Sequence, residues 1–299
     1  MLARRDFDAL FQGLIGRFPS KQGESVTGRH APMHLFYDSG SICSRRMRSV
    51  LLAAGKPFAS HVIDVFERGL DKEDDFTANA INRMISGFTI DSHDAEPSLI
   101  NAAGRCALTM VVFPASQEVL IDPVRICAKV DEDNPSESSK LMPFQLAELI
   151  KAEIDIIDGL HSIDPAPSTS KKARTSGTRP QSNADSSKNR RTHFARQVRL
   201  RAAANRLPEH PMIDGERFLV EIELSHLEKR LKKSAGPYRF GSLLTVADLF
   251  WAFELMRIEN PGAVAALSDG SLPAVAKYYS GLVQLPAIRG AMLETPGNK

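Results

Sequence analysis

The sequence predicts a mixed α/β domain followed by an all-helical one. Three observations carry this. A strand–helix–strand unit lies between Met33 and Val65, two short apolar runs at hairpin distance follow from Leu108, and after about residue 140 every apolar pattern has the helical period.

Residues 1–31 read as an N-terminal extension. Within it, Asp6 to Phe18 is expected as a short amphipathic helix, with Phe7, Leu10, Phe11, Leu14 and Ile15 at helical spacing. Lys21 to Pro32 is polar and reads as a loop. Met33 to Tyr37 is an apolar strand, Asp38 to Ser41 a turn, and Ile42 to Ala54 a helix. Gly55 ends that helix where a left-handed residue is tolerated. Pro57 precedes a second strand, expected at His61 to Val65. Such a unit has parallel strands and a right-handed crossover. Glu67 to Gly104 is charged and irregular, with one short helix expected near Phe76 to Met84. Leu108 to Phe113 and Glu118 to Ile121 flank the turn Pro114–Gln117, and a helix is expected at Val124 to Val130. The order βαβ…ββα is that of an α/β thioredoxin-like N-terminal domain, placed at 32–133.

An all-α C-terminal domain is expected over 134–299. Pro143 to Leu160 places Leu146, Leu149, Ile150, Ile154 and Ile157 on one face. Residues 162–191 are rich in Ser, Pro, Lys and Arg and poor in large apolar groups. Their burial cannot offset the entropy of ordering, so a disordered insertion is expected. Helices are expected again at Thr192–Asn205, Gly215–Ser234, Thr245–Glu259 and Pro273–Gln284.

The bulk numbers fit this division. The 299 residues are enough for two domains, and 42% apolar with 25% charged is ordinary globular composition. A net charge of +2 gives no strong attraction to nucleic acid or membrane. The basic clusters at Lys171–Arg174 and Lys188–Arg191 have no interleaved aromatics and read as solvated linker. No apolar run is long enough to span a bilayer, and Asp6 and Asp8 interrupt any leader pattern. Three cysteines, Cys43, Cys106 and Cys127, do not suggest a disulfide scaffold, so a reducing cytoplasm is expected. The histidines show no metal-ligand spacing, and no Gly-rich phosphate loop is present.

Two local signatures stand out. Thr245-Val246-Ala247-Asp248-Leu249 is a capping box, whose ordinary meaning is structural. Ser41-Ile42-Cys43-Ser44-Arg45-Arg46-Met47-Arg48 follows a strand and opens a helix. Free peptide N–H groups and the helix dipole there favour an anion, so a cysteine in that turn is a good thiolate candidate. Ser41 caps the helix or donates to an anionic sulfur, while Arg46 and Arg48 add positive potential. A small buried cysteine and a plain cap explain the same residues equally well.

Together the signatures resemble the glutathione transferase superfamily. Leu35 through Arg48 looks like its first strand and active-site helix; Phe240-Gly241 with Thr245-Val246-Ala247-Asp248 looks like its C-terminal capping box. Leu272 to Tyr279 and Leu285-Pro286-Ala287 fit the tail. Within the superfamily, Ser-x-Cys-Ser-x-Arg-x-Arg resembles the zeta class, which includes reductive dehalogenases of hydroquinones and cis–trans isomerases. The resemblance implies glutathione as co-substrate and a small aromatic second substrate. It also implies a dimer. It casts Ser41 as the thiolate stabiliser and Cys43 as the exchange nucleophile. Arg46, Leu108, Thr109 and Asp122 fall at glutathione-binding positions. The sequence departs from the pattern twice. Leu108 stands where the superfamily has a proline before its third strand, and Pro123 stands where it has a serine after the acidic residue. Two readings follow: glutathione-dependent chemistry on an aromatic, hydroquinone-like substrate, or a glutathione-independent homologue that binds or assembles. Isomerisation of a cis-dienoyl acid is the third. Cys106 and Cys127 read as small buried residues, with Cys106 as a redox partner of Cys43 the minority reading.

Overall fold

The computed structural model describes residues 4–18, 31–37, 41–63, 84, 109–132, 134, 136–161, 215–259 and 269–292. The expected helices at Phe76–Met84 (Met84 apart) and Thr192–Asn205, and the expected insertion at 162–191, lie outside the described residues. So do Leu108 and Cys106.

The chain forms two units, residues 1–144 with 285–299, and residues 145–284. In the first, helix α1 (Arg4–Arg17) precedes strand β1 (His34–Tyr37), helix α2 (Ile42–Ala53), strands β2 (Ala59–Val62), β3 (Thr109–Phe113) and β4 (Glu118–Leu120), and helix α3 (Pro123–Asp131). The sheet order is β2-β1-β3-β4. β1 and β2 are parallel, with His34 opposite Ala59. β3 lies antiparallel to both β1 and β4, with Leu35 opposite Val111 and Val111 opposite Leu120. This is the thioredoxin-like arrangement expected, and Gly55 has the expected positive φ of 64°.

The period of two divides the sheet's side chains between its faces. On one face Phe36, Met110, Val112 and Val119 share a core with Ile63, Met84 and the apolar stripe of α1: Phe7, Phe11, Leu14, Ile15 and Phe18. The helix expected in an extension is therefore built into the first unit's core. Leu35, Tyr37 and Val111 alternate to the opposite face, and α2 packs against β3. Strand β2 begins two residues earlier than expected and takes in Ser60 and His61, both buried. Their polar atoms are satisfied within the unit: Ser60 accepts from Arg48 and His61 bonds to His34. Partnered polar groups can enter a buried strand that an apolar pattern does not mark.

The second unit is all helical among the described residues: α4 (Ala147–His161), α5 (Gly215–Lys232), α6 (Val246–Glu259) and α7 (Pro273–Leu282). α4 packs on α6, and α7 packs on both α5 and α6. The buried stripe of α4 is Ile150, Glu153, Ile154, Ile157 and Leu160, whereas Leu149, expected inside, is 57% exposed. The reason is Glu153, which takes a core place because Trp251 Nε1 donates to it at 2.9 Å and Arg230 and Arg239 pair with it at 3.2 Å. A fully partnered buried carboxylate shifts the stripe away from the leucine. A short last helix, α8 (Pro286–Met292), which periodicity did not pick out, packs on α2 within the first unit. No described helix is long and apolar enough to cross a membrane.

Candidate thiol site

The site is built at the start of α2. Ser41 is the N-cap, in extended conformation (φ −83°, ψ 129°), and its hydroxyl accepts from the Ser44 amide at 3.4 Å. Cys43 is half-buried and lies in the first helical turn, where the positive end of the helix dipole favours a thiolate. The structure thus brings Ser41 and Cys43 together at one helix start, as the sequence anticipates.

Thr109 is joined to the same turn in a way the sequence did not reveal. Its hydroxyl and that of Ser44 share a buried 2.9 Å hydrogen bond, tying the first turn of α2 to the beginning of β3. Serine after the cysteine was the available signal, but its partner is 65 positions away. The two arginines are buried rather than displayed. Arg48 donates to Ser60 and stacks over the Tyr37 and Phe58 rings, each centroid 5.7 Å away. Arg46 is also buried, and its carbonyl accepts from the Ser49 hydroxyl at 2.7 Å.

Asp122 lies at the exposed start of α3. Its carboxylate accepts from the Arg125 amide at 2.9 Å, and Pro123 occupies the first helical position. Proline suits that position because its missing N–H would be unpaired there and its φ is preset. That same missing N–H is one fewer donor for an anion at this terminus. Cys127 lies deeper on α3. Burial first, then Asp131 and Asp122, push its thiol well above the ordinary range, so it is no thiolate. Of the two described cysteines, Cys43 is half-buried and Cys127 fully buried.

The second signature proves to be a buried hub. Asp248 Oδ2 accepts from the Thr245 amide at 2.8 Å and the Thr245 hydroxyl at 2.7 Å. Its Oδ1 accepts from the Arg239 amide and the Tyr278 hydroxyl, both at 2.7 Å. The capping box is present with one change: the threonine hydroxyl donates to the aspartate instead of accepting from the helix. Burial raises the Asp248 carboxyl against these four hydrogen bonds, and burial with the Asp248 charge pushes Tyr278 well up.

A four-stranded mixed sheet carrying a cysteine at the start of its first crossover helix, joined to a helical unit built on a buried capping box, defines a class. The fold is that of the glutathione transferases, and part of the helical unit matches their C-terminal domain. Residues 219–290 match the glutathione S-transferase C-terminal domain. A glutathione S-transferase from Rhodospirillum rubrum shares the fold at a TM-score of 0.52, with 15% identity over 89% of this chain and 94% of its own. One from Methylobacillus flagellatus with glutathione bound does so at 0.50, with 14% identity over 87% and 98%. A bacterial zeta-class maleyl pyruvate isomerase also reaches 0.50, with 16% identity over 86% and 95%. Among characterised proteins, the chain is similar to the 2,5-dichlorohydroquinone reductive dechlorinase of Sphingobium indicum. The two are 23% identical over 328 aligned positions, 94% of this chain and 89% of the relative.

Proposed function

We propose that the chain is a glutathione-dependent thiol enzyme acting on a halogenated hydroquinone or related aromatic, with Cys43 as nucleophile and Ser41 as thiolate stabiliser. The observation that carries this reading is the placement of Cys43 in the first turn of α2, two residues after the Ser41 cap. The similarity to a hydroquinone dechlorinase along most of both chains supports the substrate class.

In balance, one aryl chloride and two glutathiones yield the arene, glutathione disulfide and HCl. The first glutathione displaces chloride and leaves an aryl–sulfur conjugate. Cys43 thiolate attacks the conjugate's sulfur; the S–S bond forms, the aryl–S bond breaks, and the ring carbon takes a proton. The second glutathione releases Cys43 as the thiol. A nucleophile whose pKa lies near ambient pH is the efficient attacker in such exchange. Thr109 and Asp122 would border the glutathione, with Ser44 fixing the position of Thr109.

A specific observation favours a second reading, a glutathione-independent homologue that binds or assembles. Asp122 already caps α3, and Pro123 contributes no amide. Calorimetry separates the two. Glutathione binding at millimolar strength or tighter by the native chain, with dechlorination lost in Cys43→Ser, supports the enzyme. No binding by the native chain, restored by Leu108→Pro with Pro123→Ser, overturns it in favour of the second reading.

A further inference from the structure

Among the described residues, the apolar core between α1 and the sheet takes in two buried imidazoles. His34 and His61 are both almost fully buried, and His34 Nδ1 lies 2.8 Å from His61 Nε2. His61 Nδ1 is bonded to the Phe18 carbonyl, at the end of the α1 segment. The rings are stacked into the same layer: His61 lies against Phe36 at 4.6 Å, and Phe11 of α1 meets His34 edge-on at 4.8 Å.

The chain of bonds assigns the protons. A carbonyl only accepts, so His61 Nδ1 carries a hydrogen and donates to Phe18. In the neutral ring His61 Nε2 is then bare and accepts from His34 Nδ1–H, which leaves His34 Nε2 bare, buried and without a hydrogen-bond partner. A proton added to His61 Nε2 would force the His34 hydrogen from Nδ1 to Nε2, so that His34 Nδ1 becomes the acceptor. A proton added to His34 Nε2 would create a buried cation.

Among the described residues, one backbone hydrogen bond, to Ala31, favours the charged form of His34, and burial and His61 outweigh it. β1, β2 and β3 contain no carboxylate. On α1, Asp8 is exposed and pairs with Gln117 at 3.5 Å, Asp6 is half-buried, and Arg17 is exposed. On β4, Glu118 is held by Lys129 and Ser116. Among the described residues the only side-chain charge acting on His34 is that of His61. Burial first, then His61, lower its pKa from 6.5 to about 4.

We propose that the His34–His61 pair is an acid-sensitive clasp, holding α1 on the sheet while His34 is neutral and releasing it when His34 takes up a proton. Released, α1 uncovers the apolar face of Phe36, Met110, Val112 and Val119. The sign follows from the direction of the shift. The undocked imidazole binds its proton below pH 6.5, whereas the docked one resists until about pH 4. Docking is therefore at full strength above pH 6.5 and weakens progressively as pH falls toward 4.

Hydrogen exchange of the full chain, corrected for intrinsic rates, tests this. Protection of residues 4–18 relative to α6 should fall about tenfold or more between pH 7.5 and pH 5. In His34→Phe, which keeps an aromatic ring against Phe11 but cannot titrate, most of that dependence should disappear. Should the variant fold poorly, an NMR titration of the native imidazoles decides. His34 remaining neutral down to about pH 5 while α1 stays docked supports the clasp. A constant protection ratio across the range, or a His34 titration near 6.5 with α1 still protected, overturns it.

Discussion

The start of α2 and the start of α6 are both helix N-termini with a hydroxyl at the cap, and they differ in everything else. At α6, Asp248 is fully buried and accepts four hydrogen bonds from Thr245, Arg239 and Tyr278. At α2, Ser41 makes one long capping bond of 3.4 Å, and Cys43 is half-buried beside it. The first terminus is saturated and serves stability. The second leaves Cys43 half-buried in its first turn, where the proposed chemistry would take place. One local pattern thus takes either role, according to whether the surrounding fold fills the acceptor sites.

The sharpest way to break the contrast is Asp248→Ala. It leaves the Arg239 and Thr245 amides and the Tyr278 hydroxyl without their acceptor, and should cost about 3–5 kcal/mol in chemical denaturation. A loss below about 1 kcal/mol would mean that the hub is not a stability element. Gly236→Ala attacks the turn that presents Arg239. A Cβ there would lie 2.4 Å from the Gly241 carbonyl carbon and oxygen. The turn must move, and a loss of about 2–3 kcal/mol is expected in the same assay.

Glu228 extends the saturated side of the comparison. Leu272 gives α7 no side-chain cap, and the Glu228 carboxylate supplies it from α5, accepting from Ala274 and Val275 amides at 3.1 and 2.8 Å. Burial opposes ionisation, but these amides and Lys232 outweigh it and hold the carboxyl below 4.5. A depressed acid stabilises above its unfolded pKa, so this contribution is present above pH 4.5 and lost as pH falls below it. Glu228→Gln should cost about 1 kcal/mol at pH 7 and flatten the acid limb of a thermal-midpoint profile.

On the open side the expected stability effects are the smallest and the functional ones the largest. Ser41→Ala should lose about 1 kcal/mol as a missing cap, together with a rise in the pH midpoint of Cys43 alkylation. An unchanged midpoint would reduce Ser41 to a cap alone. Cys43→Ser should leave the denaturation curve in place and abolish turnover of the aryl substrate.

The same contrast explains what the sequence disclosed. The βαβ unit, the hairpin and the two N-termini were legible because each rests on neighbours within a few positions: Ser41 with Cys43, Thr245 with Asp248, Gly55 after α2. Glu153 in the core, the Ser44–Thr109 bond and the His34–His61 pair were not. Each depends on partners 27 to 98 positions away that only the folded chain supplies. Glu153 is the clearest case, since a charged residue in an apolar stripe reads as solvent-facing until its tryptophan and arginines are known. The placement of β2 failed for the same reason: Ser60 and His61 look like loop until Arg48 and His34 reach them.

The return of the last helix to the first unit has a consequence for biosynthesis. α8 packs on α2, with Gly290 so close that a Cβ would lie 3.0 Å from Leu52 Cδ1. Translation delivers α2 well before α8, which follows all of the helical unit. The nascent thiol helix therefore waits, with the Leu52 side uncovered, until the helical unit of residues 145–284 has been synthesised. A pause or truncation before Pro286 would leave a synthesised but unclosed first unit, and that species is where chaperone binding should concentrate.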